Sequence, residues 1–170
     1  MIFLGADHGG FPLKEKIKEW LTEWGMAFTD LGAKTLQEDD DYPTYAFAVG
    51  EEIGSTDRPE LPWKDRPKGI LSCRSAAGVV IAANKVRSVR AVAVFDELSA
   101  KHSREHNDAN VLALSGDWTK EEDAKKMIKI WLETEFSNEE RHKRRLLEIY
   151  DYEMLGGGGC GGSCGGGGCC

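Results

Sequence analysis

Cysteine is almost missing from the body of this chain. Of five cysteines, Cys160, Cys164, Cys169 and Cys170 crowd the last stretch, and Cys73 stands alone before them. A lone thiol excludes a disulfide framework and CxxC redox chemistry, and it suits a reducing compartment. Excess basic charge is missing too. The formal net charge of −7 argues against general affinity for nucleic acid or an anionic membrane. No apolar run approaches the roughly 20 residues that span a bilayer. Met1 leads straight into Ile2–Phe3–Leu4 with no basic n-region, so no signal peptide is expected and a cytoplasmic protein is. Proline is scarce. Three of the five fall between Ser55 and Lys68, which marks that charged segment as a surface loop.

What is present is a 170-residue chain, a length that suits one domain with a sizeable core. Residues 156–170, GGGGCGGSCGGGGCC, cannot build a core and read as a flexible tail, so the globular unit is placed at 1–155. Within it, short apolar runs alternate with helical periodicity. Strands are expected at Ile2–Gly5, Ala27–Asp30, Gly69–Leu71, Arg90–Val94 and Val111–Leu114. Leu13, Ile17, Trp20, Leu21 and Trp24 recur at helical spacing after Pro12. Asp96 is a helix cap, and Thr119 with Glu122 and Ser137 with Glu140 fit capping boxes for the last two helices. Strands alternating with helices predict a mostly parallel sheet covered on both faces.

Two strand ends carry chemistry. Gly69–Ile70–Leu71 runs into Ser72–Cys73–Arg74–Ser75, and Ala76–Ala77–Gly78 then open a helix. Small residues there let a ligand approach the backbone, and free N–H groups of a first helical turn favour an anion and lower a nearby thiol's pKa. Cys73 reads either as a base or nucleophile or as a buried small hydrophobe. Asp7 and His8 follow the first strand, where open α/β sheets bind ligands; Asp7 equally fits a loop-stabilising role. Gln37–Asp41 reads as a solvated acidic loop. His102 and His106 lie one helical turn apart, but no acidic third ligand sits at a recognised spacing, so no metal and no cofactor are assigned. Arg141 and Arg145 share a helix face that either grips a phosphate or is simply solvated.

The motifs GADHGG (5–10), DYP (41–43), GIL-x-C with AANK (82–85), EHNDANV (105–111) and RHKRR (141–145) occur in an order that resembles the ribose-5-phosphate isomerase B and galactose-6-phosphate isomerase family. The resemblance runs from Met1 to about Tyr150. It implies a Rossmann-like three-layer α/β/α sandwich, a homodimer or tetramer with active sites shared between subunits, and metal-free aldose–ketose isomerisation of a sugar phosphate, with ribose 5-phosphate ahead of a hexose 6-phosphate. By that resemblance Cys73 is the base and His106 assists ring opening. Ser75, with the N–H groups of Ala77 and Gly78, stabilises the enediolate. Asp7 and Asn107 hold the sugar, Tyr42 contacts the substrate, and His8, Arg141 and Arg145 hold the phosphate. The chain departs from the family loop Gly-Thr-Gly-x-Gly, reading Arg74–Ser75–Ala76–Ala77–Gly78. It also places Asp117 where many members carry a phosphate-binding arginine, a loss for which Arg74 is expected to compensate. A non-catalytic sugar-phosphate binder would have no need of a positioned thiol, and a thiol-dependent hydrolase is the weaker third reading.

Overall fold

The computed structural model describes residues 1–155; the expected tail, 156–170, lies outside the described residues. Five strands, β1 (Ile2–Ala6), β2 (Phe28–Asp30), β3 (Lys68–Cys73), β4 (Ala91–Ala93) and β5 (Val111–Ser115), form one sheet in the order β2-β1-β3-β5-β4. All four pairings are parallel. Parallel strands need a crossover, and helices supply it: α1 (Phe11–Glu23), α2 (Tyr42–Thr56), α3 (Ala77–Ala83) and α4 (Glu97–Asn107); α5 (Glu121–Glu133) and α6 (Glu140–Met154) follow the last strand. This is the expected Rossmann-like three-layer sandwich.

The central strand explains the layers. Every residue of β3 is buried, and its side chains alternate between faces. Ile70 joins Ile2, Leu4, Leu112 and Leu114 beneath α1, α4 and α5, contacting the cluster that holds Leu13, Ile17, Ala100, Met127 and Trp131. Leu71 and Cys73 face the other way, with Val111 and Ala113, against Ala46, Val49 and Ile53 of α2 and Val79 and Ala83 of α3. Each such fully buried aliphatic side chain contributes about 1.5–3 kcal/mol. Cys73 therefore points into the α2–α3 side at the last position of its strand.

Three expectations need correction. The segment from Ser55 to Lys68 is not a plain surface loop, because a 3₁₀ turn at Trp63–Asp65 buries Trp63, and Asp57, Arg66 and Lys68 are buried with it. Trp63 meets Trp131 edge-on at 5.1 Å, and the Arg104 guanidinium lies 3.4 Å from a Trp63 ring centroid. Thr119 does not cap α5. The cap falls on Lys120, and Glu121, Glu122 and Asp123 already place negative charge on the first turn. Nor does Ser137 cap α6, whose cap is Glu139, since the Ser137 hydroxyl is taken up by His142 Nδ1 at 2.7 Å. The Asp96 cap does form, as a reciprocal box with Ser99.

At the edge where the strands begin, Arg66 donates to both oxygens of Asp57 (2.8 and 2.7 Å) and to Asp108 (3.0 Å). Asp108 also receives Arg90 at 2.8 Å and lies 2.8 Å from Arg104, while Asn110 donates to Asp57 at 3.0 Å. Burial pushes the Asp57 carboxyl up, but the Arg66 and Asn110 hydrogen bonds outweigh it and hold the group below its ordinary range. That contribution to stability is complete above the ordinary carboxylate range and is lost as pH falls through the lowered folded value. Removing one partner strands a buried charge, so Asp57→Ala should destabilise the fold by about 3–5 kcal/mol in urea denaturation. A loss below about 1 kcal/mol would mean that water replaces the carboxylate without penalty.

Candidate active site

In this strand order the chain leaves β1 toward one side of the sheet and β3 toward the other, so the loops after β1 and β3 diverge and open a crevice at their C-terminal ends. Asp7 and His8 follow β1; Cys73, Arg74 and Ser75 close β3. The loops meet backbone to backbone. A side chain at Gly10 would collide with Ser72, and one at Gly116 with Gly9, which leaves room there for glycine alone. The Cys73 carbonyl accepts from Gly116 N–H at 2.8 Å, and the thiol is buried.

The turn after Ser75 is strained: Ala76 has φ 64°, a left-handed conformation that alanine rarely adopts. It aims the start of α3 at the crevice. Val80 N–H donates to the Ala76 carbonyl at 3.3 Å, so the N–H groups of Ala77 and Gly78 stand ahead of that bond. The Tyr42 ring covers Gly78, where a Cβ would come 2.7 Å from Tyr42 Cζ.

Asp7 is buried, and its carboxylate accepts from Gly10 N–H at 3.0 Å. Burial pushes its pKa up against that bond. Asp40 is the residue that sequence reasoning missed. Read as part of a solvated run, it instead accepts the His8 N–H at 2.7 Å and lies 2.9 Å from His8 Nδ1, while its other carboxylate oxygen is buried without a partner. The hydrogen bond to Asp40 raises the His8 pKa. Its position directly before DYP was the only signal available. Arg74 and Asp117 form an exposed ion pair at 3.5 Å.

His106 and Asn107 are elsewhere. Helix α4 starts just after β4 and returns antiparallel to the strands, so its last turn lies at the edge where strands begin. Eleven residues at 1.5 Å each put roughly 16 Å between its ends. There the His106 ring is sandwiched between His102 (centroids 4.5 Å) and His142 of α6 (4.6 Å). Burial, then His102 and His142, lower its pKa. His142, buried beside Arg141, was passed over within a basic run. Arg141 is held by Glu139 at 2.8 Å, and Arg145 is exposed one turn on. A cleft of about 640 Å³ also lies at this edge, between Pro59–Trp63 and α6. One chain thus gathers Asp7, His8, Tyr42, Cys73, Arg74, Ser75, Ala77 and Gly78 at one edge and His106, Asn107 and Arg141 at the other.

A parallel α/β sandwich with a thiol at its switch point defines a class of ligand-binding α/β proteins, and comparison with known proteins narrows it. The family model described as Ribose/Galactose Isomerase matches residues 2–149. The ribose-5-phosphate isomerase B of Escherichia coli is 37% identical over 155 residues, covering 90% of this chain and 96% of its own. The crystal structure of ribose-5-phosphate isomerase B from Mycoplasma genitalium with bound ribulose-5-phosphate superposes with a TM-score of 0.82 at 36% identity, covering 90% of this chain and 95% of that one. The Clostridium thermocellum ribose-5-phosphate isomerase B gives 0.81 at 35%, covering 91% and 97%. The chain belongs to the ribose/galactose isomerase family.

The His8–Asp40 pair gives a titration test. Because His8 is raised, the pair's contribution is complete below the ordinary histidine value and is lost as pH rises through the folded one. Asp40→Asn should return the His8 pKa toward about 6.5 when the ring is followed by NMR. An unmoved pKa would show that Asp40 does not hold the imidazolium.

Proposed function

We propose that residues 1–155 form a metal-independent aldose–ketose isomerase that converts ribose 5-phosphate to ribulose 5-phosphate. The observation that carries the reading is the separation of the Cys73 crevice from the His106–Asn107 edge. Each edge holds part of one set of groups, and a second copy of the chain brings them together in a homodimer. Exposed apolar side chains support such an assembly: Ile81, Phe95, Leu98 and Trp118 around the crevice edge, and Leu147, Ile149 and Tyr150 on α6. The names of the relatives, and the ribulose-5-phosphate bound by one of them, favour the pentose phosphate over a hexose phosphate.

His106, from the second copy, takes the proton of the anomeric hydroxyl and returns one to the ring oxygen as the C1–ring oxygen bond breaks. Cys73, as thiolate, removes the proton from C2 of the open aldose, and the electron pair moves through C1 onto O1 as an enediolate. The Ser75 hydroxyl and the N–H groups of Ala77 and Gly78 face that developing charge. A proton passes from O2 to O1, and Cys73 returns its proton to C1, giving the ketose. Asp7, Tyr42 and Asn107 hold the sugar hydroxyls. His8, kept cationic by Asp40, joins Arg141 and Arg145 on the phosphate, and Arg74 screens it from Asp117.

Cys73→Ala should abolish isomerisation and solvent-proton exchange at C2 while substrate still protects the fold against heat. Near-normal turnover in that variant would remove Cys73 from the role of base. Mixing offers a separate check on the assembly. Inactive Cys73→Ala and His106→Ala chains, reassorted at random, should regain about a quarter of the normal activity, since half the dimers are mixed and each carries one complete site. No recovery after confirmed exchange would mean that each site is built within one chain.

A further inference from the structure

Helix α4 carries a cluster that the isomerase chemistry does not use in full. His102 and His106 are stacked at 24°, and Glu105 lies beside them; one ligand atom from each of the three falls within 4.8 Å of the others. In sequence, Glu105 did not read as a third ligand, because i, i+3, i+4 triplets are only recognisable once the helix register is fixed. The register here turns all three to one face. His102 is exposed, and Glu105 and His106 are half-buried, so solvent reaches the cluster. His142 packs on the far side of His106 with its Nδ1 held by Ser137, and the Glu105 carbonyl accepts from Ser137 N–H at 3.1 Å. These contacts hold the His106 ring and the backbone at Glu105 in place.

We propose that His102, Glu105 and His106 form a zinc site whose occupation switches off the isomerase. Two imidazoles and a carboxylate suit a borderline ion such as Zn²⁺ rather than Mg²⁺ or Ca²⁺, which prefer all-oxygen sets. Ligand atoms both about 2.1 Å from a tetrahedral ion stand roughly 3.4 Å apart, so side-chain rotation alone closes the cluster. Three protein ligands leave the fourth position to water. Among the described residues Lys101, 3.5 Å from Glu105, competes for the carboxylate, and it is an exposed pair of little strength. Zinc on His106 occupies the lone pair that ring opening needs. The inhibitory half of the proposal rests on the isomerase reading; the binding half does not.

The tail thiols would also take zinc, so the full chain is tested with Cys160→Ser, Cys164→Ser, Cys169→Ser and Cys170→Ser. Titration with Zn²⁺ alone in a calorimeter should show one equivalent per chain. His102→Leu and Glu105→Gln should each weaken it by at least the roughly tenfold that loss of an outer-shell partner costs. Unchanged affinity in both variants, or no binding in the parent, overturns the site. In the isomerase assay Zn²⁺ should inhibit the parent, and His102→Leu, with normal basal turnover, should resist it by a similar factor. Equal inhibition of the two would place the inhibitory ion elsewhere, at Cys73 above all, and overturn the switch. Binding lost in His102→Leu but without any inhibition of the parent supports the site and overturns the switch.

Discussion

Parallel pairing is the constraint on which the rest depends. Once β3 is flanked by parallel β1 and β5, every strand must end at the same edge and every crossover helix must run back to the other. The chemistry-bearing residues are then sorted by whether they follow a strand or precede one. Asp7, His8 and Cys73 follow; His106, Asn107 and Asp108 precede. No rotamer change moves a side chain across the length of α4. The separation of these two groups of residues is thus a property of topology.

The buried ion network belongs to the same logic. Asp108 takes a left-handed backbone conformation at the end of α4, and its carboxylate gathers Arg66, Arg90 and Arg104. The turn that carries His106 and Asn107 is therefore clamped to the starts of β3, β4 and β5 together. Buried charges are poor sources of net stability against an apolar alternative, but they tolerate very few geometries. Here the single geometry fixes the end of the helix on which the His106 ring packs between His102 and His142. The same crowding of cations, after burial itself, lowers the Lys68 pKa to about 8.

Much of this was legible in the chain. Short apolar runs located the strands and a spacing of 3.6 the helices, because the parallel sheet buries both faces of its central strands while each covering helix buries one. Asp7, His8 and Cys73 could be placed at strand ends for the same reason. Other features were invisible for physical causes. Trp63 and Arg66 sit in a segment whose prolines and charges resemble solvated loops, and only their long-range partners Trp131 and Asp108 bury them. Asp40 looked like its neighbours Asp39 and Asp41 until a residue thirty-two positions earlier was folded against it. The two misjudged capping boxes fit a local pattern, and tertiary demands on Ser137 and acidic first-turn residues displaced it.

The distribution of tryptophan gives the two edges separate optical signatures. Trp63 and Trp131 are a buried, edge-on pair with a guanidinium over one ring, so their emission is set by the ion-clamped edge and the core. Trp118 is largely exposed, two-thirds of it open to solvent, and its backbone N–H donates to the Ser115 hydroxyl next to the Arg74–Asp117 pair. An indole in that position emits to the red of a buried one and is reached by aqueous quenchers. With the emission of Trp20 and Trp24 removed by substitution to phenylalanine, events at the thiol crevice can therefore be followed through the quencher-accessible fluorescence of Trp118 and events at the histidine edge through the blue-shifted fraction.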